Sequence, residues 1–312
     1  MTCTRCGTVL EEGDLRCPVC ALPTSAAGSP GATREQVLRC SECNASLAYS
    51  AERQNPACGF CGAVMQVEMP VDPVERPELQ LPFGVSKEQA SASLRQWLST
   101  RGFFTPSDLA SSATVDSLHQ QWWAAWLCDA EALVSWAADS DAGSGRSDWA
   151  PHAGQTPMQW TNLLIPASRG LSAEETSTLA AHYDLASAAP AGDGPEVEQF
   201  DVQRSKARLT ITAALERNAA ELLQGGVIPG RRYRKVKAWP LLSKLATRRL
   251  VLPAWVVTWQ YQDKRFRAVV HGQRASVVVG KTPISWAKVL GVVVGVVTLL
   301  ATIAAVVVLL NR

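Results

Sequence analysis

The sequence predicts an α+β protein: two amino-terminal zinc ribbons, a duplicated helix-plus-antiparallel-sheet body and one carboxy-terminal transmembrane helix. Three observations carry this expectation. Eight of the nine cysteines stand in Cys-x-x-Cys pairs within the first 61 residues, whereas residues 289–310 carry no charge at all. Between these extremes, capped amphipathic helices alternate with runs rich in Trp, Val and Leu. Eleven Trp in a chain that is 47 % hydrophobic argue for buried cores rather than disorder.

The chain opens with Cys3-Thr-Arg-Cys6 and Cys17-Pro-Val-Cys20, then repeats the pattern with Cys40, Cys43, Cys58 and Cys61. Two residues between cysteines let both sulfurs reach one ion, and two such knuckles complete the closed tetrahedral thiolate shell of structural zinc. The expected cofactors are therefore two Zn2+ ions, one held by Cys3, Cys6, Cys17 and Cys20, the other by Cys40, Cys43, Cys58 and Cys61. Gly7, Asn44 and Gly62 follow their pairs and tolerate the left-handed conformation such turns need; Ala21, at the fourth position, does not. The ribbons thus occupy 1–22 and 37–66, with 23–36 as linker. A redox dithiol would open a helix in a thioredoxin-like strand and helix pattern, which these pairs lack. In the first ribbon Arg5 and Arg16 are outnumbered by Glu11, Glu12 and Asp14, and in the second Arg34, Arg39 and Arg53 balance Glu35, Glu42 and Glu52. Phosphate binding draws on an excess of cations, so the ribbons are expected to meet a protein partner rather than nucleic acid.

Residues 67–82 carry Pro70, Pro73, Pro77 and Pro82 and read as an extended spacer. Ser86 and Gln89 form a capping box, and Ala90, Leu94, Trp97 and Leu98 recur at helical spacing, predicting a helix over 86–100 with Phe103 and Phe104 packed beneath it. Periodicity does not separate helix from strand over 119–138. However, Trp123-Ala-Ala-Trp126 resembles Leu252-Pro-Ala-Trp255, which sits among strand-like runs over 250–261, 266–271 and 275–279, with turns at Asp263-Lys264 and His271-Gly272. The first copy is therefore expected to be strands too, giving an acidic repeat over 83–200 and a basic one over 201–288. Between the two, 139–157 reads as a Gly, Ser and Asp-rich loop and 160–166 as a strand. A helix over 172–183 has Ser172 and Glu175 as its capping box, and 187–195 is a flexible link. The longest soluble helix covers 201–224, and 231–239 is a basic strand.

Charge is polarised along the chain. Residues 1–203 hold 11 basic and 25 acidic side chains, a net of −14, while 204–288 hold 18 basic and 3 acidic, a net of +15. The basic segment has three outlets: anionic lipid, at roughly 1 kcal/mol per cation close to the surface, the acidic half of the same chain, or nucleic acid.

The charge-free run Val289–Leu310 covers 22 residues. At about 1.5 Å per residue it spans about 33 Å, matching a hydrocarbon core of about 30 Å. Lys281 and Lys288 precede it near Trp286, and a single Arg312 follows. The positive-inside tendency then predicts a tail-anchored, single-pass protein of the cell (inner) membrane with its amino-terminal domains in the cytoplasm; Met1–Leu10 lacks the apolar core of a secretory signal. Gly291-Val-Val-Val-Gly295 has the small-residue spacing of paired membrane helices, which leaves a homodimer open beside an unpaired span in which the motif is only part of a Val-rich run. His119, His152, His182 and His271 share no ligand spacing and are read as surface or turn residues, and Cys128 as a small core residue. The sequence contains no phosphate loop, dinucleotide turn, nucleophile elbow or metal-hydrolase helix, so no catalytic residue is assigned and an enzyme is not expected.

The ordered set of motifs resembles bacterial membrane proteins with amino-terminal TFIIB-type zinc ribbons, often labelled primosomal protein N-prime-like or helicase-like. Leu81-Pro-Phe-Gly-Val-Ser86, with the helix through Trp97 and Phe103 to Leu109, resembles the opening of that family's folded body. Leu252-Pro-Ala-Trp255, Val269 to Gln273 and Thr282-Pro-Ile-Ser-Trp286 resemble its closing motifs. The chain departs at His271-Gly272, where the family tends to have Asn-Gly, and at Trp123-Ala-Ala-Trp126, where it tends to have Leu-Pro-x-Trp. The resemblance implies a fold and a membrane location but no established activity. The expected role is a cytoplasm-facing binding or scaffolding module that recruits a protein, the alternative being a membrane-tethered nucleic-acid binder; a thiol or metal-handling enzyme is a third class, for which only the cysteines speak.

Overall fold

The structure, a computed structural model, describes residues 1–8, 10, 17, 19, 20, 22–24, 36–48, 57, 58, 60–68, 76–142, 149–192, 197–200 and 204–310, the side chains of 204–209, 305 and 308–310 excepted. In chain order the second ribbon supplies β1 (Val37–Cys40), β2 (Ser46–Ala48) and β3 (Met65–Glu68). The body follows with β4 (Leu79–Gln80), α1 (Lys87–Ser99), α2 (Leu109–Ser112), β5 (Thr114–Ser140), β6 (Ala150–Pro166), α3 (Ala173–Ala180), β7 (Ala189–Pro190), α4 (Arg204–Gln224), β8 (Tyr233–Tyr261), β9 (Lys264–His271) and β10 (Val278–Gly280); α5 (Trp286–Leu310) closes the chain. Both capping boxes form: Ser86 and Gln89 exchange hydrogen bonds at the start of α1, as do Ser172 and Glu175 at α3.

One sheet organises the body. Strand β5 pairs antiparallel with β8 from Thr114↔Gln260 to Ser140↔Tyr233, β6 covers the other edge of β5, and β9 with β4 covers the other edge of β8. The helix-plus-hairpin order occurs twice, as α1-β5-β6 and α4-β8-β9, but the units do not form separate bodies. The two similar segments face each other across the ladder, with Trp123 opposite Leu252. Helix α1 packs on Trp255, Val257 and Trp259 of the other unit, while α4 lays Ile211, Leu215 and Leu223 across β5, β6 and β8. Both helices lie on one face; the second ribbon and α3 cover Trp123, Ala125, Leu127, Leu250 and Leu252 on the other.

Several expectations are corrected by this arrangement. The separate strands read at 231–239 and 250–261 are one strand, β8. The loop read over 139–157 is mostly strand, because β5 continues to Ser140 and β6 starts at Ala150. Its prolines, Pro151 and Pro157, are tolerated because β6 is an edge strand. The turn expected at Asp263-Lys264 falls at Gln262-Asp263, with Gln262 at φ 53°. Within the spacer, Leu79–Gln80 belongs to the body, pairing with β8 and β7, and Glu78 is ion-paired to Arg249. The link read at 187–195 likewise contributes β7. Phe103 and Phe104 are not beneath α1 but exposed, at 66 % and 46 %. Ala21, Arg34 and Arg53, most of the 23–36 linker, and 201–203 of the fourth predicted helix lie outside the described residues.

The charge polarity has a structural outlet. Cations of the basic segment meet anions of the acidic one: Arg232 with Asp141 (3.0 Å), Arg234 with Asp139 (3.1 Å), Lys244 with Glu131 (3.2 Å), Arg248 with Asp129 (3.6 Å), Arg265 with Asp116 (3.7 Å) and Arg267 with Glu175. Most follow directly from the β5–β8 register.

Candidate metal centres

The cysteines come together in the two predicted sets. Within each set all four sulfurs lie within 4.8 Å of one another. The close contacts run between knuckles: Cys3 to Cys20 at 3.6 Å, Cys6 to Cys17 at 3.4 Å, Cys40 to Cys61 at 3.3 Å and Cys43 to Cys58 at 3.6 Å. A tetrahedral zinc with bonds of about 2.3 Å holds its sulfurs about 3.8 Å apart. A disulfide needs about 2.05 Å, and all eight are free thiols. The donor set fits two zinc ions, each with four thiolate ligands.

Backbone geometry explains why the sequence builds these sites. Each knuckle repeats one bond: the N–H of Cys3, Cys17, Cys40 and Cys58 donates to the carbonyl of Thr8, Leu22, Ala45 and Ala63 respectively. Gly7, Asn44 and Gly62 occupy φ of 70°, 60° and 75°, the left-handed positions expected, and donate back to the carbonyl of Cys3, Cys40 and Cys58. The sulfurs ionise unevenly, and the contact with Cys58 pushes the Cys43 thiol far up. The Cys43 thiol and the N–H groups of Phe60 and Cys61 hold Cys58 down to about 5, and Thr8 holds Cys6 down to about 6. Burial pushes Cys17 up to about 12 and Cys61 up to about 11, so these give up their protons to a cation rather than to water.

The second ribbon is built into the body. Leu38, Leu47, Phe60 and Met65 share a core with Trp123, Leu171, Leu179 and Leu250. A strap at 197–200 fastens the two: Gln199 N–H donates to the Ser46 carbonyl and Glu198 N–H to the Trp122 carbonyl, both at 2.8 Å. The fully buried Glu198 carboxylate accepts from Ser168 Oγ at 2.6 Å and Gly170 N at 2.7 Å. A cleft of about 540 Å³ remains beside the metal centre, with Cys58 and Cys61 on one side and Asp116, His119, Thr258 and Arg265 on the other.

A second constellation was present in the sequence only as separate motifs. Leu81–Ser86, Leu252–Trp255 and Val269–Gln273 converge into one clasp. The Gly272 carbonyl accepts from Gly84 N and Val85 N at 2.9 Å each, and Gly272 N donates to the Pro253 carbonyl. Trp255 Nε1 donates to the Val85 carbonyl at 2.8 Å, Trp122 Nε1 to the Leu81 carbonyl at 3.2 Å, and Phe83 sets its ring edge-on to both indoles. Pro253 sits where β4 gives way to β9 along the edge of β8, so its missing N–H breaks no ladder bond.

His271 is not a surface residue but fully buried. Its Nδ1 accepts from Gln273 N (2.9 Å) and Arg274 N (3.0 Å), and its ring lies 3.9 Å from that of Tyr183. Burial, then His182 and Arg274, hold His271 down to about 4. None of the three other histidines joins a cysteine cluster, although His119 lines the cleft beside Cys58 and Cys61, and Cys128 is fully buried, as expected.

Helix α5 is long and apolar enough to cross a membrane, and Leu290–Ala304 are exposed throughout. Comparison with protein-family models, with curated proteins and with solved structures finds no match to the chain.

Proposed function

We propose that this membrane-anchored zinc-ribbon protein is a non-catalytic adaptor that recruits a protein partner to the cytoplasmic membrane surface. The observation that carries this reading is the closure of both metal centres: four thiolates per ion leave no open position for a substrate or water, which is the mark of structural rather than catalytic zinc. Around the neighbouring cleft, Arg265 is engaged with Asp116, and Arg267 with Glu175 and the Gly170 carbonyl. The ribbons' balanced charge favours a protein over phosphate, and Lys281 and Lys288 favour a cytoplasmic body. The likeness to membrane-anchored TFIIB-type ribbon proteins is part of the same reading. So is pairing of two copies through Gly291 and Gly295, which lie one turn apart on α5 with open space around both; Gly295→Ile then abolishes dimers captured by crosslinking in the membrane.

The test is crosslinking in intact cells, solubilisation and identification of what copurifies, comparing the native chain with Cys3→Ser/Cys6→Ser. The first ribbon is the place to cut, because it touches the body's core through the partly buried Val19, whereas the second supplies buried residues to that core. A protein lost in the variant supports the adaptor and names its pathway. Nucleic acid retained at physiological salt by the native chain replaces it with the membrane-tethered nucleic-acid binder.

A further inference from the structure

We infer that the turn carrying Phe103 and Phe104 is a second membrane contact, seated in the lipid headgroup region beside α5 and fixing the posture of the body on the bilayer. This rests on the reading that α5 spans a membrane. The turn is held rigidly. Arg101 closes the end of α1 by donating from Nε to the Trp97 carbonyl (2.9 Å) while stacking on the Trp97 ring (4.0 Å). Thr105 then draws the turn together, its N and Oγ1 both bonding the Gly102 carbonyl, at 3.0 and 2.7 Å.

That turn is bolted to the threshold of the apolar helix. Ser285 N donates to the Phe104 carbonyl at 2.7 Å, and Lys288 Nζ donates to the Thr105 carbonyl at 2.8 Å, its cation 5.6 Å from the centre of the Phe103 ring. The charge-free run begins one residue after Lys288. The two Phe rings, 5.4 Å apart, are therefore level with the point where α5 becomes wholly apolar. Phe103 (66 %), Phe104 (46 %), Ile284 (58 %) and Trp286 (74 %) are all exposed here. Four large apolar side chains facing water at the foot of an equally bare apolar helix make physical sense when one apolar phase covers both. Aromatic side chains among lysines are the composition that settles at a membrane interface. Lipid is the occupant because the patch is continuous with the span and bonded to its first turn. A tether with one attachment lets the body swing, whereas two attachments about a rigid turn do not.

The full chain is reconstituted into vesicles of phosphatidylcholine and phosphatidylglycerol, with p-benzoylphenylalanine placed singly at Phe103, Phe104, Val293 and Leu241. Val293 reports the span. Leu241 is 71 % exposed yet separated by roughly 65 Å of strand from Tyr261, whose hydroxyl donates to Asp108 just after the turn. The expected result is phospholipid adducts at 293, and at 103 and 104 several-fold above 241. Adducts at 293 with 103 and 104 no higher than 241, or crosslinked only to protein, overturn the second contact while leaving the anchor standing. Absence of lipid adducts at 293 removes the span, and this inference with it.

Discussion

At position 271 an imidazole closes a turn by accepting two backbone N–H groups, and it must stay neutral to do so. Its ordinary value of 6.5 applies in the unfolded chain and about 4 in the folded one. Between those values only the unfolded chain takes up the proton, so stability falls as pH drops from 6.5 to 4 and then levels. The fall amounts to about 3 kcal/mol. His271→Asn keeps an acceptor for Gln273 and Arg274 but does not titrate. Urea unfolding at pH 7.5, 5.5 and 4.5 is expected to show about 1–2 kcal/mol lost at pH 7.5 and a shallower decline than the native chain; parallel declines would acquit His271. Next to it, a Cβ on residue 272 would collide with the Pro253 backbone. Gly272→Ala should therefore cost about 1–3 kcal/mol, read as a lower urea midpoint, whereas Gly192→Ala, with open space around it, should not. At this scale the sequence was legible where chemistry repeats, as in the cysteines and their left-handed neighbours. It was not legible at His271, because a single His carries no signal of burial and its two bonds go to its own backbone turn.

The elements divide in the same way. Helices α1 and α3 were legible because a capping box and a 3.6-residue apolar period are local features. The long strands were not, for opposite reasons at their two ends. Trp123–Cys128 and Leu250–Val257 are buried on both faces, so alternation vanishes there. Beyond, the strands are covered on one face and carry prolines and cations that imitate a loop. The second ribbon was expected to stand off on a spacer but is a layer of the body, a relation that only the tertiary core reveals. Cys58→Ser is thus expected to lower the melting temperature of the whole body by on the order of 10 °C, from about 3 kcal/mol of lost packing at 2–4 °C per kcal/mol. Cys3→Ser in the first ribbon, which reaches the body's core through the partly buried Val19, should move the main transition by only a small fraction of that. Calorimetry of the two variants, with zinc content measured in parallel, checks both expectations; equal shifts would mean that the first ribbon is equally built in.

For the whole molecule, the span-length apolar helix and the two cysteine clusters were legible because each rests on composition or spacing within a short window. The interleaving of the two helix-plus-hairpin units was not, because it rests on the long-range pairing of β5 with β8, which no local pattern specifies. Ion pairs such as Arg248 with Asp129 are largely exposed and contribute at most about 1 kcal/mol each to the finished fold. Their consequence lies in how the fold is reached. Trp123 and Leu252 stand 129 positions apart, and a ladder that joins so distant segments forms slowly. A chain whose leading part is at −14 and whose following part is at +15 attracts itself over this distance before any ladder bond exists. Refolding of the full chain in uncharged micelles should accordingly slow several-fold as salt rises from about 50 to about 500 mM and the screening length contracts, with unfolding rates little changed. A salt-independent refolding rate would reduce the charge segregation to an accident of composition. The expected slowing would make it a set of directions for assembly, written in the sequence and cancelled in the finished protein.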